Sequence, residues 1–226
     1  MKPNFKQFIF IFFLVAFSSK GFAQFSVGIK GHISMIGAPL VEKQDFFSKK
    51  LRPTFNPGVS IFGEFKLNEI VAFQAELAFR QNRSHYLLRF GTQTIHTSII
   101  DYVRLPLLVK LSQKNKWINL IVFGGPNFGY ASSIKSAETV GNFLIDDATF
   151  KKLDFEEYNV RHFDLALTVG IGIEKPIANK FRTSIDIRYD YGLIDVIKSQ
   201  ENSYVNRGIT LEVGILIPIS KEEEKE

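Results

Sequence analysis

Between Phe25 and Ile219 the chain repeats one pattern eight times: about a dozen residues in which apolar side chains alternate with polar or small ones. The clearest case is Ile209 to Ile217, where Ile209, Leu211, Val213, Ile215 and Ile217 fall on one face and Thr210, Glu212, Gly214 and Leu216 on the other. A period of two puts successive side chains on opposite faces of a strand. Eight consecutive strands with a greasy face and a charged opposite face turn the grease toward lipid rather than toward a protein core, the pattern of a membrane-spanning barrel.

The N-terminus carries Lys2 and Lys6, then the apolar run Phe8 to Phe17, then Ser18 to Gln24. A charged region, a ten-residue apolar region and the small-x-small site Gly21-Phe22-Ala23 read as a signal peptide over 1–23, cut between Ala23 and Gln24. The run falls short of the roughly 20 apolar residues a spanning helix needs. The chain has no Cys, which excludes disulfides and cysteine lipidation. Removing Met1 to Ala23 takes away three lysines and no acid, so 28 basic residues become 25 against 23 acids and the formal charge falls from +5 to +2. No basic stripe remains of the kind nucleic acid requires. Residues 24–220 suit one domain, and Lys221 to Glu226 form a charged tail inside 221–226.

The strands are expected at Phe25–Ile36, Phe55–Leu67, Ile70–Gln81, Ile95–Leu111, Trp117–Ala131, Arg161–Lys175, Phe181–Ile194 and Arg207–Ile219, the fifth with its alternation blurred by Ile121 and Phe123. Short connections (Asn68-Glu69, Ser112 to Lys116, Pro176 to Lys180) alternate with long ones (Gly37 to Thr54, Asn82 to Thr94, Ser132 to Val160, Asp195 to Asn206). Outer-membrane barrels place short turns in the periplasm and long loops outside. With both termini periplasmic, every long connection is expected to be extracellular. The fold class that follows is all-β, an eight-stranded antiparallel up-and-down transmembrane barrel of the cell outer membrane, in contact with lipid and monomeric. A soluble sandwich or lipocalin-like barrel would put the grease inside and does not account for so charged and sign-balanced an opposite face.

That face carries Glu64, Glu76, Arg80, Arg104, Lys110, Asp164, Glu174, Arg182, Asp186, Arg188, Asp190 and Glu212, with Gly170, Gly172 and Gly214 beside them. Such a set lines a selective pore or forms an internal ion-pair network. Eight strands enclose a space only wide enough for side chains, so a filled, non-conducting lumen is expected. Catalysis would draw on His32, His85, His96 or His162; His162-Phe163-Asp164 puts a base and a carboxylate on one strand face. No serine-centred nucleophile motif and no HExxH spacing accompanies them, so no catalytic residue, metal or cofactor is assigned. Gly170-x-Gly172 sits inside a strand and is no phosphate loop. The acids Asp146, Asp147, Asp154, Glu156 and Glu157 lack the spacing of a calcium loop and read as a solvated face. Asp146 to Tyr158 is expected to form a short helix over the barrel mouth.

Four segments carry a resemblance: Val27-Gly28-Ile29-Lys30-Gly31, Asp101 to Lys110 (DYVRLPLLVK), Gly125-Pro126-Asn127-Phe128-Gly129-Tyr130, and Phe163-Asp164 through Gly170-Ile171-Gly172-Ile173-Glu174. Through them the chain resembles the PorT-like outer-membrane β-barrel family of Gram-negative bacteria. Arg104 departs from the family pattern and, if lumenal, requires an acid from a neighbouring strand as partner. The resemblance implies a barrel in the outer membrane, with an accessory part in type IX protein secretion and gliding as the alternative to a structural or binding role through extracellular loops. Partners would then be secretion-apparatus or cell-surface proteins; a rim-located enzyme is the second alternative.

Overall fold

The structure, a computed structural model, describes residues 24–37, 54–90, 92–115, 117–140, 150–157, 159–178, 181–196, 198 and 205–219. The expected cleavage site lies at the edge of this range, since Gln24 opens the first strand; residues 1–23 and 221–226 lie outside it. Nine strands occur in chain order: β1 Gln24–Gly37, β2 Phe55–Lys66, β3 Val71–Phe90, β4 Thr92–Lys114, β5 Asn119–Val140, β6 Lys151–Leu153, β7 Phe163–Ala178, β8 Phe181–Gly192 and β9 Arg207–Pro218.

Every described pairing is antiparallel, in the order β4-β3-β2-β1-β9-β8-β7-β5, and the β4–β5 pairing closes the ring. Eight strands make the barrel, and closure leaves the ring up to Arg80 of β3 without an unpaired edge. The three-residue β6 pairs with β5 at Ile134 to Ser136, above the point where β7 stops pairing with it. It extends the wall in the place of β7.

The barrel is inside out relative to a soluble protein. Ile29, Val59, Ile171, Ile187, Leu211 and Val213 are each between 47% and 63% exposed, while Glu64, Glu76, Arg188 and Glu212 are at most 1% exposed. Along β9 and the residue that follows it the outward apolar row runs from Ile209 to Ile219. Ten rises of about 3.3 Å give about 33 Å along the chain. At a tilt near 40° this is about 25 Å of height, the thickness of a lipid-facing band. No helix among the described residues is long and apolar enough to cross a membrane; the chain crosses with strands.

Several elements differ from the sequence expectation. The connection expected at Asn82 to Thr94 is mostly strand, because β3 continues to Phe90 and β4 begins at Thr92, in register from Asn82↔Ile100 to Phe90↔Thr92. Ser132 to Val140, also expected as loop, belongs to β5. Beyond the apolar band strands need not alternate in polarity, and period-two reading stops where the lipid does. The helix expected over Asp146 to Tyr158 is not formed in its described part. Lys151–Leu153 is strand, and a turn follows in which Asp154 accepts hydrogen bonds from the amides of Glu156 (2.8 Å) and Glu157 (3.3 Å). Asp146 and Asp147 lie outside the described residues.

Candidate functional site

The inward face of the barrel stacks its charges in tiers. At the end holding both termini, Lys110 bonds Glu64 and Glu174 (2.6 Å to the latter), and Arg182 bonds the same two acids at 2.9 and 3.0 Å and Ser26 at 3.0 Å. Two cations alternate with two carboxylates around one ring. The next inward position along β1, β2, β4 and β9 is apolar or glycine: Gly28, Phe62, Leu108 and Leu216. Ile121 and Phe123 join Leu108 there as a buried cluster. These two residues blur the alternation of β5 because they point into the lumen while Leu120 and Val122 face out. The Phe62 and Phe123 rings lie over Gly28 and Gly170 of adjoining strands, where any Cβ would collide with them. The glycines make room for an apolar septum across the barrel.

Above the septum, the Lys30 ammonium lies 3.2 Å from Glu76, 3.0 Å from Asp186 and 3.4 Å from Glu212, over the Phe62 ring at 4.9 Å from its centroid. Arg188 binds Glu76 at 2.8 Å and also Glu212. Higher still, Arg80 meets Asp190 at 2.6 Å, and Asp190 also accepts from Thr168 and from Asn127 (3.3 Å). Near the far end Arg104 meets Asp164 at 2.5 Å, and Asn206 bridges Asp164 (2.9 Å) and the Tyr102 hydroxyl (3.2 Å).

Glu64, Glu76, Arg80, Arg104, Lys110, Asp164, Glu174, Arg182, Asp186, Arg188, Asp190 and Glu212 thus all carry ion pairs inside the barrel. Lys30 is an additional member, legible as the residue between outward Ile29 and Gly31. Burying a charge is tolerable only when it is paired, and these tiers pair each of these charges, although Arg80 Nε, Arg104 Nε and Arg188 Nε make no hydrogen bond among the described residues. The acid that Arg104 uses is not on an adjoining strand. Arg104 and Asp164 flank Gly129 of β5 in register, and the missing side chain lets the guanidinium cross over that strand.

The expected histidine–carboxylate pair does not form. His162 is exposed, its Nδ1 3.0 Å from the Ala131 carbonyl and its ring against Phe155 and Tyr130, whereas Asp164 is buried on Arg104. His32 is buried in the lumen, Nδ1 3.9 Å from Glu212. The side chains of His85 and His96 lie outside the described set. Among the described residues no cluster of His, Asp and Glu could hold a metal ion.

An inside-out, closed, charge-filled barrel has its counterpart among known families: residues 17–198 match the model of the outer membrane protein beta-barrel domain. The chain belongs to that family. Members of the family reside in the outer membrane, and so does this barrel. Among solved structures, the attachment invasion locus protein Ail of Yersinia pestis is 11% identical, with 87% of this chain and 99% of that one covered and a TM-score of 0.45. Neisserial surface protein A is 11% identical over 85% and 96%, with a TM-score of 0.43. A major outer membrane protein from Thermus thermophilus is 13% identical over 88% and 100%, with a TM-score of 0.48. No curated protein matches the chain significantly.

Proposed function

We propose that this outer-membrane barrel is a monomeric, non-conducting scaffold that acts structurally or by binding through its extracellular loops, without catalysis or cofactor. Residues 1–23 act as a signal peptide cut before Gln24, and both termini are periplasmic. The observation that supports this reading is the filled lumen: ion-paired tiers and an apolar septum leave the strands no free surface inside, and lipid occupies them outside. Recognition then falls to the connections at the far end, as it does on other rigid scaffolds. The long connections expected from the sequence there include residues 38–53 and 141–149. Replacing both with short Gly/Ser linkers should leave membrane insertion and heat-modifiable migration intact and abolish the phenotype of the gene in a complemented deletion strain. Full complementation by the shortened protein would defeat the reading.

A second reading, an accessory role in type IX secretion, follows from the PorT-like segments and draws on the opposite end. There Ile70 and Trp117 in the short turns and Ile177 at the end of β7 are 61%, 74% and 65% exposed. Complementation by the loop-shortened protein, together with its loss in a Trp117→Ser/Ile177→Ser variant, would favour this reading.

A further inference from the structure

Just above the apolar band the wall of β5, β6 and β7 carries a patch that neither lipid tails nor the lumen explains. A bulge at Ser132, which has no partner opposite Asp101 and Tyr102, shifts the register of β5. Beyond it Ile134 points in and Lys135 out. Lys135 stands directly opposite exposed Lys152 of β6. Like charges at opposed cross-strand positions destabilise a sheet. Asp101 reaches Lys135 at 3.0 Å, but among the described residues no carboxylate pairs with Lys152 or with exposed Arg161. Below the lysines the Tyr130 and His162 rings stack at 5.3 Å, Phe155 packs on His162 at 3.8 Å, and Phe163 lies beside Tyr130 in register.

We infer that this patch binds the phosphorylated sugar headgroup of an outer-leaflet glycolipid. The cations supply the missing counter-charge to phosphate, and the exposed rings offer apolar faces to sugar. Tyr130 and Lys135 are five residues apart, about 16 Å along a strand and about 12 Å in height after tilt. A phospholipid headgroup layer is only about 5–8 Å deep, so a deeper, multi-sugar headgroup fits the span. Of the acids nearby, Asp101 is engaged with Lys135 and Ser133, and Asp154 with its own turn; Glu156 and Glu157 are exposed in that turn, so the phosphate must sit on the Lys135 and Lys152 side of it.

The inference rests on the far end being extracellular, and the two are separable by experiment. Full-length protein in detergent, where orientation plays no part, is titrated with bis-phosphorylated lipid A, with dephosphorylated lipid A and with phosphatidylglycerol, and binding is read by native mass spectrometry. Bis-phosphorylated lipid A should bind best, and Lys135→Ala/Lys152→Ala should weaken it by roughly tenfold or more, as loss of a charge-assisted hydrogen bond does, with heat-modifiable migration unchanged. Equal binding of phosphatidylglycerol, or no effect of the double substitution, would overturn the inference. Labelling of a Lys152→Cys variant on intact cells by an impermeant maleimide tests the orientation alone.

Discussion

Arg104 reaches Asp164 across an intervening strand because Gly129 has no side chain to block it: a Cβ there would sit 3.3 Å from the Arg104 guanidinium and 3.2 Å from the Asp164 Cβ. One ion pair therefore ties β4 to β7 across β5, and the Asn206 amide, just before β9, donates both to the Asp164 carboxylate and to the Tyr102 hydroxyl of β4. Removing one partner of such a buried pair leaves an uncompensated charge, at a cost of about 3–5 kcal/mol. Arg104→Ala should lower stability by that amount, and Gly129→Val, which wedges the pair apart, should fall short of it. The double variant should be less destabilised than the sum, because both changes act on the same contact. Urea unfolding in lipid vesicles measures all three; strict additivity would show that Gly129 does not serve this pair. Lys30 teaches the same lesson. Its place between Ile29 and Gly31 was readable, but that a single ammonium would serve Glu76, Asp186 and Glu212 depends on strands that meet only after closure.

At the scale of elements, the segment from Lys151 to His162 is held to the barrel by a cluster of its own. Ile134, Val160 and Val196 are buried together, with Ile100, Leu153 and Phe155 packed against them, and Arg161 and Lys198 donate backbone hydrogen bonds to Val196 and Asn159. Asn159 takes a left-handed conformation, φ 52°, in the turn that starts this return, a region Asn tolerates better than most residues. The cluster lies above the lipid band, separate from the ion-paired tiers. Val160→Asp should therefore loosen residues 150–162 without unfolding the barrel. Limited proteolysis should cut this segment several-fold faster in the variant while the folded band on unheated SDS gels persists; loss of that band would mean that the cluster supports the whole barrel. The same geometry shows that Ser132 to Val160, expected as one loop, is in part barrel wall. Ser136 to Val140 pair with β4, and Lys151–Leu153 pair with β5.

Over the whole molecule, closure through β1–β9 and β4–β5 sets a lumen that two kinds of layer fill. Seven acids (Glu64, Glu76, Asp164, Glu174, Asp186, Asp190, Glu212) face six bases (Lys30, Arg80, Arg104, Lys110, Arg182, Arg188), all engaged across the tiers. The single excess carboxylate falls in the tier of Lys30 and Arg188, the one beside His32. An ion entering from either end would have to break paired charges and then cross the septum of Phe62, Leu108, Ile121, Phe123 and Leu216. Planar-bilayer recordings of the wild-type protein should accordingly show no steady large conductance. A stable porin-like current would require the tiers to part and would end the filled-lumen reading.

The sequence by itself determined the strand count of the barrel, the two faces of each strand, and that the apolar face looks outward to lipid. Each of these depends only on a local period of two and on the balance of charges between faces. Tertiary structure decided the rest. Ion-pair partners separated by 46 to 182 residues, such as Lys30 with Glu76 and with Glu212, are chosen by how the staggered strands of a closed ring bring side chains to one height. The inward turn of Ile121 and Phe123 depended on Gly170 standing opposite Phe123 and leaving room. The upper part of the β3–β4 hairpin, from Asn82 to Ile100, and the short β6 lie beyond the membrane band, where no lipid enforces alternation, and only pairing with neighbouring backbone defines them.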